Sequence, residues 1–222
     1  MRKNLPLNFS KTEIGQLVVS GVSLSFAFSL ILFRKEIFTS NSFSDLFKNY
    51  EPIFLVYALI AISLAFILHE VGHKYVAQKK GCWAEFRWWP AGLMMAVGLA
   101  VMLKGMFVFA APGAVMISPT KKTKFGYATT ILDKEDIGKI GIAGPSVNIV
   151  LAAVFGLLAL VTGMRIMGIS AQVNTWLAIF NMLPFAILDG KKVWHWDPKI
   201  WVMFMAFSVG LFLLIMYYIP SL

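Results

Sequence analysis

The chain has 222 residues, 59% of them hydrophobic and only 14% charged, with a mean hydropathy of +0.74. A soluble domain carries about 25% charged residues, and several apolar runs here reach the roughly 20 residues that a bilayer core requires, which argues against a soluble enzyme with a large core. The net charge of +9 lies between the apolar runs, without a basic–aromatic array, so it reads as loop charge facing anionic lipid and not as a nucleic-acid surface.

In chain order, Arg2 and Lys3 precede an apolar run that begins near residue 14 and is long enough to span, so it reads as a first membrane helix and not as a cleaved leader. The spans expected are about 14–33, 53–73, 140–163, 172–188 and 200–219. Region 91–118 is apolar but holds Lys104 in its middle and Pro112-Gly113 near its end. It is either a further crossing or a segment that returns to the side it left. Residues 107–117 and 127–132 are rich in β-branched and aromatic residues and bounded by turn formers, which predicts a small membrane-associated β-hairpin near 107–132. Asp133 is a good N-cap before Glu135 and Asp136, and Gly144-Pro145 should kink the helix that follows. Cys82, the only cysteine, rules out an intrachain disulfide and a cysteine metal cluster. The expected fold is an all-α polytopic membrane protein of about six transmembrane or re-entrant segments plus that hairpin. It forms one integral-membrane domain over residues 1–222, with a functional core at about 53–190.

Charge orients these spans. If 91–118 returns to its starting side and the N-terminus is cytoplasmic, Arg34, Lys35, Lys48 and Arg165 face outward and the other sixteen of the 20 Lys and Arg face the cytoplasm. A single crossing there would give eight against twelve. The positive-inside tendency favours the first arrangement, a multi-pass protein with its N-terminus in the cytoplasm.

The second span ends in His69-Glu70-Val71-Gly72-His73. This spacing sets two imidazoles one helical turn apart on one face with a carboxylate beside them, a layout that can hold zinc and activate water. An ionisable group at membrane depth is costly and usually functional. Glu70 is the expected general base, and it would later protonate the leaving amine. A catalytic zinc takes three protein ligands and one open position. No histidine follows the motif closely, so the third ligand must come from Asp189, His195, Asp197, Asp133, Glu135, Asp136, Glu85 or Cys82. Asp189 is the best of these, because a lone carboxylate at the end of an apolar span needs a partner. His195 and Asp197 read as an interfacial loop among Trp194, Trp196 and Trp201, and Glu85 and Cys82 as surface. The site opening then lies on the cytoplasmic side.

Three segments resemble the site-2 protease family of intramembrane zinc metalloproteases: HEVGH within a membrane helix, residues 141–148 (G-I-A-G-P-S-V-N) and residues 181–190 (N-M-L-P-F-A-I-L-D-G). The resemblance covers about residues 53–190. It implies one zinc per chain, held by His69, His73 and Asp189, with Glu70 as catalytic base. It also implies hydrolysis of a peptide bond within or near a transmembrane segment of another membrane protein. Asn148 and Asn181 would lie near the site, where either could donate to substrate backbone or oxyanion, or serve as interhelical polar contacts. Gly113, Ala114 and Val115 resemble the family's re-entrant β element, whose edge could hold an unwound substrate by strand addition. Family members often carry prolines just before L-D-G, where this chain has Ala186 and Ile187. The loops hold no PDZ insertion, so a bare catalytic core is expected.

The partners expected are thus a membrane-protein substrate and the lipid bilayer, with no nucleic acid. No sequence feature specifies an oligomeric state. The alternative, an inactive relative that binds membrane proteins, has no chemical need for Glu70. A metal transporter would need more ligands along its spans. A zinc protease of the prenyl-protein type would need a later Glu as third ligand, and the later spans contain none.

Overall fold

Four helices among the described residues are long and apolar enough to cross a membrane: α1 (Lys11–Leu32), most of α3 (Pro52–Lys79), α5 (Lys134–Thr162) and α8 (Pro198–Tyr218). The computed structural model describes residues 7–32, 34–37, 52–109, 111–123 and 126–219. Arg2, Lys3, Lys48 and Lys124 of the charge comparison, and the residues from 38 to 51, lie outside them. The remaining elements are a short α2 (Arg34–Ile37), β1 (Trp83–Trp88), α4 (Pro90–Met102), β2 (Gly113–Ser118), β3 (Thr120–Thr123), β4 (Gly126–Thr129), α6 (Arg165–Asn181) and α7 (Asp189–Trp196).

The core forms where small residues let helices approach. Ala58, Ala61 and Ala65 of α3 are fully buried against Leu24, Ala27 and Phe28 of α1 and Val173 and Leu177 of α6. Lipid tails offer no hydrophobic drive to helix pairing, so close backbone packing supplies the attraction. Outward faces stay apolar: Leu157 and Val161 of α5 and Met203, Phe207 and Leu213 of α8 are exposed. A contiguous apolar surface of that kind fits contact with lipid.

The span expected at 172–188 is corrected. The helix there, α6, starts at Arg165, stops at Asn181 and has 17 residues. Its buried face carries Ser170, Gln172, Asn174 and Thr175, which lower its hydropathy. Pro184 and the residue before it disfavour helix, so the chain leaves α6 through turns to Leu188.

The expected hairpin is also corrected. β2 pairs antiparallel with β1, Trp88 opposite Gly113 and Phe86 opposite Val115, while β3 pairs separately with β4. The intervening α4 and its return therefore begin and end at one ribbon, closed by the Trp89 N–H donating to the Pro112 carbonyl at 2.7 Å. At the far tip, the Arg34 Nε donates to the Lys104 carbonyl at 2.9 Å. Gly105 there has φ +68°, and a Cβ on it would lie 2.0 Å from the Leu30 carbonyl oxygen. Lys104 thus sits at the Arg34 end of α1, opposite the end that meets β1. This moves one charge in the comparison, from sixteen against four to fifteen against five.

The pairing fixes which backbone groups face which way. Backbone N–H groups alternate along a strand. Trp89 donates toward β2's side, so Arg87 and Glu85 do as well, and Phe86 and Trp88 point away. Across the ribbon, Ala114 and Met116 point at β1, whereas Gly113 and Val115 present their N–H and C=O on the opposite edge.

Candidate metal centre

The HEVGH residues lie in the C-terminal half of α3, where close packing against α5 brings Asn148 and Ile140 to the two histidines. His69 Nδ1 lies 2.6 Å from Asn148 Oδ1, and His73 Nδ1 lies 2.7 Å from the Ile140 carbonyl. Both partners are acceptors, so each imidazole carries its proton on Nδ1 and turns an unprotonated Nε2 inward. The orientation of the Asn148 amide follows from its own bonds. Nδ2 donates to the Ala65 carbonyl at 3.0 Å and to Asn174 Oδ1 at 2.9 Å. Asn174 in turn donates to the Ser170 carbonyl at 2.8 Å.

The two Nε2 atoms are 3.0 Å apart, and Asp189 Oδ2 lies 3.4 Å from that of His69 and 3.0 Å from that of His73. A tetrahedral metal with bonds of about 2.0–2.2 Å holds its donors roughly 3.3–3.6 Å apart. The three donors are within a few tenths of an ångström of that spacing. Two imidazole lone pairs and a carboxylate oxygen facing one another would repel without a cation among them. All three residues are buried. Gly144 keeps the space open: a Cβ on it would lie 2.3 Å from His73 Nε2 and 2.6 Å from His69 Nε2. The donor set and the space fit zinc, which takes imidazole nitrogen and carboxylate oxygen in this number.

Asp189 reaches this point as the first residue of α7. One turn on, Lys192 Nζ lies 2.9 Å from Asp189 Oδ1, so Oδ2 alone faces the histidines. The other ligand candidates are placed elsewhere. His195 is exposed and its Nδ1 pairs with the Lys191 carbonyl at 2.7 Å. Asp197 caps α8 by accepting from the Lys199 N–H, and Asp133 caps α5 by accepting from the Asp136 N–H. Glu135 pairs with Lys139 and Asp136 with Lys80. Glu85 and Cys82, read as surface, are both buried because β1 folds back onto the end of α3. Burial, with the Asp136 carboxylate second, pushes the Cys82 thiol up, away from the thiolate that metal binding requires.

Glu70 is buried beside the triad, and its Oε2 has no hydrogen-bond partner among the described residues. It lines a cleft with the triad, Gly113, Ala114, Val115 and Asn181, and the Val115 N–H faces it. Asn181 donates to its own helix at the Leu177 carbonyl, 3.0 Å away. Asn148 differs from the sequence expectation of a substrate donor: both of its amide hydrogens are engaged within the protein. Sequence reasoning passed over Lys192, Gly144 as spacer, and Asn174. Lys192 had a signal in its helical spacing from Asp189, and Gly144 in the A-G-P segment.

A buried His–His–Asp cluster, with both histidines and the adjacent Glu70 on a membrane-length helix, fits a metallohydrolase type of site. Comparison with known proteins agrees. The chain is 34% identical over 215 residues, 95% of its own length and 97% of the relative's, to the protein of Methanocaldococcus jannaschii named "Putative zinc metalloprotease MJ0611". The chain belongs to that family of zinc metalloproteases. No family model and no solved structure matches it.

Proposed function

We propose that the protein is an intramembrane zinc endopeptidase of the site-2 protease type, which cuts a peptide bond in or near a transmembrane segment of another membrane protein. The observation that carries this reading is the donor cluster of His69, His73 and Asp189 at the end of a membrane-length helix, sharing a cleft with Glu70 and with one open strand edge. His69, His73 and Asp189 would hold one zinc ion per chain. When bound, zinc supplies a Lewis acid that lowers the pKa of water to about 7 and polarises a carbonyl.

The chain's own groups do the rest. Glu70 takes the proton from the attacking water and delivers it to the leaving amine as the C–N bond breaks. The outward N–H and C=O groups of Gly113 and Val115 pair with an extended substrate, which exposes a peptide bond that a helix would shield. Asn181, on the cleft wall, would use its second amide hydrogen to donate to the substrate carbonyl as it gains charge. Asn148 and Asn174 orient His69 from behind. Among the described residues, twelve Lys and Arg lie toward the cleft end and four toward the other, which supports the reading that the cleft end faces the cytoplasm.

The test is cleavage of single-span substrates by purified protein in lipid, with metal analysis. Wild type should hold zinc and cleave, Glu70→Gln should hold zinc without cleaving, and Asp189→Ala should lose both. Wild-type protein without zinc would overturn the reading.

A further inference from the structure

A second buried polar cluster adjoins the metal helix and plays no part in the chemistry above. Lys74, next to His73, is 1% exposed, as is Glu13 of α1. Lys74 Nζ lies 2.7 Å from Oε1 and 2.5 Å from Oε2 of Glu13. Glu13 Oε1 also accepts the Phe86 N–H of β1 at 2.9 Å. One turn along α1, Gln16 Oε1 accepts the Trp88 N–H at 3.3 Å.

A buried ion pair is weak grounds for stability, because desolvation offsets its attraction. This pair instead joins three elements at one carboxylate. Phe86 and Trp88 are the residues whose N–H groups point away from β2, so α1 side chains close the outer edge of β1. An unblocked strand edge would invite pairing with any extended chain. Phe86 stands opposite Val115, whose N–H faces Glu70. The chain of contacts therefore runs from the residue beside His73, through Glu13, to Phe86, Val115 and back to Glu70.

We propose that Glu13 is a positioning residue for the cleft. It pins the ribbon to the turn that carries His73, sets the free edge of β2 against Glu70, and leaves the ribbon one edge for a substrate strand. The proposal rests on the reading that the β2 edge receives substrate, and it extends the working site to α1, outside residues 53–190.

Two double variants test it in the zinc-loaded, lipid-reconstituted protein. Glu13→Leu with Lys74→Met removes the charges and the acceptor for the Phe86 N–H. Glu13→Gln with Lys74→Met removes the charges but keeps an amide oxygen in that place. The leucine variant should raise KM for a single-span substrate by about fivefold or more with kcat within about twofold and zinc retained. Its 83–88 and 113–118 peptides should exchange amide hydrogen about tenfold faster. The glutamine variant should return both readouts toward wild type. Equal exchange in the two variants, or a loss confined to zinc content or melting temperature, would overturn the positioning role. Faster exchange with unchanged KM would overturn the reading that β2 receives substrate, and the proposal with it.

Discussion

The side-chain oxygen of Asn148 stands 2.6 Å from Nδ1 of His69, on the far side of the imidazole from the nitrogen that faces Asp189. A partner in that position fixes the tautomer and aims the ring. Asn148→Leu would leave a buried Nδ1–H without an acceptor, at a cost of about 1–3 kcal/mol. It would also free the ring to turn. Zinc affinity, measured by competition with a chelator, should fall about 10–100-fold. Unchanged affinity would show that packing alone orients His69.

Gly144 offers a sharper case, because it touches the metal space without offering a ligand. A methyl there would come within 2.6 Å of both Nε2 atoms. Alanine is nevertheless the better helix former by about 1 kcal/mol. Two overlaps below 3 Å outweigh that gain, so Gly144→Ala should push both rings aside and lower the melting temperature of metal-free protein by a few degrees, while bound zinc falls to a trace. Full zinc occupancy in that variant would mean the centre lies elsewhere.

What was legible in the sequence followed from local rules. HEVGH states its own geometry through helical periodicity, and the membrane-length helices state theirs through unbroken apolar runs. Asp189 was legible because an isolated carboxylate after an apolar stretch needs a partner. The misses share one cause, non-local pairing. Nothing near 83–88 announces that this stretch would take 113–118 as its partner, so Glu85 looked like surface and the hairpin was drawn from neighbours in sequence. Hydropathy placed α6 too late, because Arg165, Gly168 and Ser170 weigh against its first turns while the apolar residues 182–188 carry the run past Asn181. Ala186 illustrates the same limit at the backbone. It takes φ +55°, a conformation closed to proline, so a proline at residue 186 could not follow this backbone path.

The two edges of β2 allow strand addition to be separated from ribbon folding. Ala114 donates across the ladder toward Arg87, whereas the Val115 N–H points into the cleft. Val115→Pro removes the cleft-facing donor, which also faces Glu70, and trims a side chain packed on the core, while proline is tolerated in a strand when its missing N–H faces away from the partner strand. That variant should keep its zinc and melt within a few degrees of wild type, yet lose cleavage. Ala114→Pro removes a ladder bond and should lower the melting temperature as well as cleavage. The comparison is read by metal analysis, thermal melting and single-span substrate cleavage on the same preparations. Wild-type cleavage by Val115→Pro would rule out the β2 edge as the place where substrate is held, and would turn attention to other walls of the cleft, Asn181 and the α6–α7 turns among them.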